Sequence, residues 1–321
     1  MKITVVGCGR WGSLITWYLS EKKKMDVTLY GRESSPHMQR FINERRNDLL
    51  TLPDSVKLST SLSCLCDADV IIISINSQGL LGFFEEIKPL CLKDKIYVLC
   101  MKGIDIKTGK RLSQIAKEGA DVSSSVAVWL GPGHVQEFYA GIPNCMVIDS
   151  ESLETKKLLV DSFSSDLIRF YYGEDLVGSE IGAAAKNVIG IAAGMLDGMG
   201  LTTLKGALMS RGAREIARLI VKMGGNELSA YGLCHLGDYE ATVFSKYSHN
   251  RMYGEMIVRG EKFDDLAEGY YTAKALMKLA EMYDVDLPIC RAVYTVLYEN
   301  ASVKDAMACL FDRSLKPEFY K

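Results

Sequence analysis

Ile3-Thr4-Val5-Val6-Gly7-Cys8-Gly9-Arg10-Trp11-Gly12 is the stretch that decides the fold. A β-branched run leads directly into G-x-G-x-x-G, and a helical pattern follows. In such a strand–turn–helix, Gly7 permits the tight turn, Gly9 lets the backbone approach a pyrophosphate, and Gly12 lets the helix pack close to the strand. The first N–H groups of the helix then face the anion.

Working outward, short apolar runs recur at residues 3–6, 27–30, 56–58, 69–74, 96–101, 125–130, 145–148 and 167–172. Runs such as Asp69-Val-Ile-Ile-Ile-Ser74 are apolar on both faces, as buried parallel strands require. Helical patterns lie between them, for example over 12–23 and 151–164. The alternation predicts an α/β, Rossmann-type, doubly wound and mostly parallel sheet. After about Glu174 the β-branched runs stop, and helical spacing takes over at 181–195, 205–223, 272–283 and 289–300. The expected organisation is a dinucleotide-binding domain over 1–174 and an all-helical substrate domain over 175–321. A length of 321 residues agrees, since domains average roughly 100–200 residues.

Composition narrows the classes. Apolar residues are 48% and charged residues 24%, ordinary for a chain that buries a core. With 38 basic against 40 acidic side chains, no global positive field exists to hold nucleic acid. Neither a signal peptide nor a membrane-inserting segment is expected, and a cytoplasmic protein follows. The 9 cysteines are irregularly spaced, so they read as buried small hydrophobes in a reducing compartment. No metal site is expected, because Cys64-Leu-Cys66 lacks a second pair at zinc spacing. At the end of the second strand, Arg32 precedes Glu33. The arginine suits a 2′-phosphate and the acid suits a free ribose, so both NAD and NADP remain open.

Further segments matter together: Met101-Lys102-Gly103, Leu130-Gly131-Pro132-Gly133-His134, Lys186-Asn187 within an Ala-rich helix, Leu236-Gly237-Asp238 with Thr242, and Ser248-His249-Asn250-Arg251. In this order, behind the glycine loop, the set resembles the NAD(P)-dependent glycerol-3-phosphate dehydrogenase family over nearly the whole chain. The resemblance implies an oxidoreductase of glycerophospholipid synthesis that interconverts dihydroxyacetone phosphate and sn-glycerol 3-phosphate. It implies Lys186 as the catalytic lysine. Lys102, Gly131, Gly133, Asn187, Asp238, Thr242, Ser248, His249, Asn250 and Arg251 become substrate-site residues. Gly7, Gly9, Arg10, Trp11, Gly12, Arg32, Lys102, Val135, His249 and Glu268 become cofactor contacts.

The residue types suit that chemistry on their own terms. A ketone that accepts hydride develops negative charge on its oxygen, and an ammonium group can stabilise the oxyanion and donate the proton. Burial and a second cation such as Lys102 would lower the Lys186 pKa, and Asp238 would oppose them. Some positions depart from the family pattern. Asn76 stands where the family usually has Pro, Leu130-Gly131-Pro132-Gly133 where it reads Ser-Gly-Pro-Ser, and His249 where it has Arg. A histidine is only partly charged near neutral pH and forms no bidentate fork. A weaker phosphate grip, a compensating cation, or a different phosphorylated or carboxylated hydroxy or oxo substrate would each fit. A redox-sensing dinucleotide binder without turnover is the non-enzyme reading. A homodimer through the helical domain stays open, with no heptad seam legible.

Overall fold

A computed structural model describes residues 1–315, 317 and 318. The last positions of the expected second domain, 316 and 319–321, lie outside the described residues. Eight strands form one sheet: β1 Lys2–Val6, β2 Asp26–Tyr30, β3 Lys57–Ser59, β4 Val70–Ile73, β5 Ile96–Leu99, β6 Ser125–Leu130, β7 Asn144–Ser150 and β8 Ile168–Tyr172. Their spatial order is β3-β2-β1-β4-β5-β6-β7-β8. All neighbours are parallel except β6 and β7, which run antiparallel with Trp129 opposite Ile148. Every expected strand is present.

The sheet is covered on both faces, as parallel strands require. Ile3, Val5, Val70, Ile72 and Val98 enter one core cluster, while Val6, Ile71, Ile73, Tyr97 and Leu99 enter another. The covering helices of this half are α1 Arg10–Trp17, α2 Pro36–Glu44, α3 Leu80–Ile87, α4 Leu112–Gly119, α5 Val135–Tyr139 and α6 Leu153–Phe163. The helix expected over 12–23 begins two residues earlier and widens over Tyr18–Lys22. β1 lies between β2 and β4, so the chain direction of the sheet build-up reverses there. In open α/β sheets that point, at the carboxyl ends of the strands, is where ligands bind.

The second half is helical: α7 Leu176–Gly198, α8 Lys205–Lys222, α9 His249–Arg259, α10 Glu268–Met282, α11 Pro288–Tyr298 and α12 Val303–Phe311. α7 is its axis. By length and composition it could cross a membrane, but 83% of its apolar window is buried inside the protein. Its small residues allow that burial. A Cβ on Gly194 would stand 1.9 Å from the Arg251 carbonyl oxygen, and one on Gly254 would stand 2.0 Å from that of Ile191. α7 and α9 therefore touch backbone to backbone. Glu180, buried near the start of α7, accepts from the Ser113 N–H at 2.8 Å, from its hydroxyl and from Arg111, which seats α7 on the start of α4.

The cysteines differ from expectation. All nine are free, but only Cys8, Cys100, Cys234 and Cys290 are buried, while Cys66, Cys91 and Cys309 are exposed. An apolar run in sequence puts a residue near the core without saying which way its side chain points.

Candidate active site

The glycine loop joins β1 to α1. Gly7 has φ +107, and a Cβ there would stand 2.2 Å from the Ser74 carbonyl oxygen. A Cβ on Gly12 would stand 1.9 Å from the Gly7 carbonyl oxygen, whereas one on Gly9 would meet nothing within 4 Å. Two glycines are thus required by contact and the third faces open space. No side chain caps α1, and no acidic residue sits in its first turn. These N–H groups, facing an open backbone surface, fit a dinucleotide pyrophosphate. Trp11 packs near Phe138, with ring centroids 6.0 Å apart, and Val135 is buried at the start of α5.

Beyond the same carboxyl edge of the sheet, the helical half brings in an ionic cluster. Lys186 projects from the middle of α7 and is 7% exposed. Its Nζ lies 3.0 Å from Asp238 Oδ2 and donates to Thr242 Oγ1 at 2.5 Å. Lys102, just past β5, donates to the same Asp238 oxygen at 2.6 Å and to the Gly131 carbonyl at 2.7 Å. Two ammonium groups meet one carboxylate, which leaves one surplus positive charge suited to an anionic ligand. Burial, reinforced by Lys102 and opposed by Asp238, pushes the Lys186 pKa down to about 8. The amine is thereby poised to exchange a proton near neutrality.

Hydrogen bonds tie the neighbouring predicted residues into this cluster. Asn187 Nδ2 donates to the Lys102 carbonyl at 3.2 Å. Asn250 donates to Asn187 Oδ1 at 3.1 Å and accepts from the Gly269 N–H at 2.9 Å. Glu268, at the start of α10, accepts from the Ser77 hydroxyl at 2.6 Å and from its N–H at 3.3 Å, which links the helical half to the loop after β4. Gly133 has φ +139 and contributes backbone only.

Other predicted residues have partners that the motif does not reveal. Ser248 caps α9, its hydroxyl accepting from the Arg251 N–H. The Arg251 guanidinium is held at 2.9 Å by both Asp197 and Glu255, and at 3.1 Å by the Ser245 carbonyl. Arg10 Nη1 lies 2.8 Å from His249 Nε2, so the glycine loop touches the first turn of α9. Arginine can only donate, which makes this Nε2 the acceptor and places the imidazole proton on Nδ1. Arg32 pairs with Glu86 at 2.9 Å on the surface.

Two residues at the cluster were not singled out from sequence as site residues. His134 follows Gly133, and its Nε2 is buried without a hydrogen-bond partner. Burial pushes its pKa down, with the charges of Glu137, Asp238, Lys186 and Lys102 acting on it as well. The only signal was its place at the end of the Leu130–His134 run. The second is His235, which gave no signal at all. Among the described residues, no three His, Cys, Asp or Glu side chains gather to hold a metal.

Comparison with known proteins agrees with this geometry. Residues 2–156 match the family model "NAD-dependent glycerol-3-phosphate dehydrogenase N-terminus", and residues 175–308 match that of the C-terminus. A glycerol-3-phosphate dehydrogenase [NAD(P)+] from Prosthecochloris aestuarii is 36% identical, with 99% of this chain and 100% of that protein aligned. One from Bacillus mycoides is 34% identical, with 99% of this chain and 97% of that protein aligned. The crystal structure of glycerol-3-phosphate dehydrogenase from Coxiella burnetii superposes with a TM-score of 0.90 at 26% identity, over 97% of this chain and 99% of that one. The chain belongs to the NAD-dependent glycerol-3-phosphate dehydrogenase family.

Proposed function

We propose that the chain interconverts dihydroxyacetone phosphate and sn-glycerol 3-phosphate with NAD(P)(H), residues 1–174 holding the dinucleotide and residues 175–321 the substrate. The carrying observation is the Lys186–Asp238–Lys102 cluster, with Lys186 and Asp238 buried and Lys102 part-exposed, beyond the strand edge that bears the glycine loop. The glycine loop, Gly7 to Gly12, would hold the dinucleotide, whose reduced nicotinamide would supply the hydride for C2 of the ketone. Lys186, as ammonium, hydrogen-bonds the C2 oxygen, stabilises the charge that develops there and passes it a proton. Asp238 orients the ammonium, and Lys102 keeps the pair net positive. In the reverse direction, neutral Lys186 removes the hydroxyl proton. Arg10, beside His249 at the start of α9, adds a permanent cation for phosphate groups.

The test is an NADH and NADPH oxidation assay over a panel of ketones. Dihydroxyacetone phosphate should be the best substrate, and no turnover of it would refute the proposal. The engagement of Arg251 by Asp197 and Glu255 favours keeping a second reading, a related dehydrogenase acting on another phosphorylated or carboxylated hydroxy or oxo compound. The same panel separates the two, since that reading puts a 2-oxo acid or another phosphorylated ketone first.

The Lys186 pKa fixes the sign of the pH dependence. Reduction needs the ammonium form, so its turnover should fall as pH rises through about 8. Oxidation needs the free amine, so its turnover should rise through the same region. Parallel pH profiles in the two directions would contradict this role.

Arg32 bears on cofactor choice. Glu86 competes with a 2′-phosphate for its guanidinium. An exposed pair of this kind is worth up to about 1 kcal/mol, so Glu86→Gln should raise kcat/KM for NADPH by up to about fivefold and leave NADH unchanged. An unaltered NADPH-to-NADH ratio would place Arg32 away from the 2′-phosphate.

A further inference from the structure

Asp238 reaches Lys186 from a short helical turn, Leu236–Asp238. The residues on either side of that turn, His235 and Tyr239, are both 0% exposed. His235 Nδ1 lies 2.7 Å from the Gly182 carbonyl oxygen, and the Tyr239 hydroxyl lies 2.7 Å from His235 Nε2. A carbonyl only accepts, so Nδ1 carries the proton and donates. Burial keeps the ring neutral, its pKa pushed down to about 4. Nε2 is then an acceptor, and the Tyr239 hydroxyl donates to it.

Gly182 sits one helical turn before Lys186. A Cβ there would stand 3.0 Å from the His235 Cβ. One turn after Lys186, a Cβ on Gly190 would stand 2.7 Å from the Thr242 side chain. The lysine thus emerges between two small residues, with the His235 segment against one and Thr242 against the other. The Tyr239 hydroxyl also reaches α8, where a Cβ on Gly212 would stand 3.3 Å from it. The turn that carries Asp238 is therefore pinned to the same helix as the lysine, one turn away from it.

We propose that His235 and Tyr239 are positioning residues that hold Asp238 Oδ2 against Lys186 Nζ and thereby set the pH at which the amine exchanges its proton. This rests on Lys186 being the group that exchanges a proton with substrate. The attraction between an ammonium and a carboxylate falls as they separate, so slack in the Asp238 turn weakens the only charge that opposes deprotonation. The other groups around the amine do not replace it. Lys102 from the loop after β5 lowers the pKa further. His134 from the loop after β6 is held toward its neutral form by burial. Thr242 and Asn187 are neutral. Cys234 remains a thiol because burial pushes its pKa up to about 12. Glu268 on α10 is bonded to Ser77.

Two readouts test this on the full-length protein: the pH profile of kcat for glycerol 3-phosphate oxidation, and NMR titration of the lysine amines in 15N-lysine-labelled protein, with Lys186 assigned by its loss in Lys186→Ala. In His235→Ala the Lys186 midpoint should drop by about one pH unit, a shift of the size that loss of a neighbouring opposite charge produces. Tyr239→Phe, which keeps the ring and removes only the donor, should shift it less and in the same direction. His235→Asn, whose amide can still donate to the Gly182 carbonyl, should restore most of the wild-type midpoint. NADH affinity should not change in any of the three. Wild-type midpoints in both His235→Ala and Tyr239→Phe would overturn the proposal, even with a lowered melting temperature. If His235→Ala does not fold, Tyr239→Phe alone decides. If the wild type fails to oxidise glycerol 3-phosphate, the reading of function fails, while the NMR titration still judges the positioning of the amine.

Discussion

Lys186→Ala should lower turnover in both directions by about 10³-fold or more while NAD(P)H still binds. The size follows from two roles lost at once. Positioned proton transfer contributes roughly 10²–10⁴-fold. Stabilisation of a developing oxyanion by one donor contributes roughly 10²–10³-fold. The protein should survive the change, because Asp238 keeps Lys102 at 2.6 Å and is not left as an unpaired buried charge. The dinucleotide loop is formed by another part of the chain, so fluorescence titration with NADH should give an affinity near that of the wild type. Turnover within tenfold of wild type would reject the lysine as the proton donor.

Gly194→Ala should be a severely damaging single methyl group in the helical half. The new Cβ would stand 1.9 Å from the Arg251 carbonyl oxygen, a backbone atom that no rotamer change can move. α9 would have to retreat, and with it the first turn that carries His249, Asn250 and Arg251. Overpacking of this kind costs about 3 kcal/mol or more of stability when the contact is rigid. A displacement of about 1 Å at a site-forming element can also cost roughly 10²-fold in kcat/KM. Gly206→Ala, in α8, is the control. Its added methyl group meets nothing within 4 Å. Urea unfolding and steady-state kinetics on the pair check both effects. Equal midpoints for the two variants would mean that α7 and α9 do not cross as closely as described.

The central strands were legible because they are short apolar runs covered on both faces, a pattern that surface segments rarely mimic, whereas the edge strands β3 and β8 are covered less completely. Val70–Ile73, fully buried, is the clearest case. The antiparallel placement of β7 was not legible. Neighbouring strands of either direction have the same two-residue period, and nothing in Asn144–Ser150 records which way its partner runs. Lys186 could be singled out as the proposed proton donor because it shares a segment with Asn187 and other residues of a recognisable order. Arg251 shows the limit of that approach. Its position in the motif says nothing of Asp197, 54 residues away, which accepts from its guanidinium. His235 shows the same limit from the other side. A buried histidine three residues from Asp238 is an ordinary letter until the fold places its ring on the Gly182 carbonyl.

The most direct test is a crystal structure of the ternary complex with NAD+ and glycerol 3-phosphate. The C2 hydroxyl should lie within about 3 Å of Lys186 Nζ, with the C2 hydrogen directed at the nicotinamide ring held over the glycine-loop half. A C2 hydroxyl bound to another side chain, with the Lys186 amine still confined to Asp238 and Thr242, would contradict it.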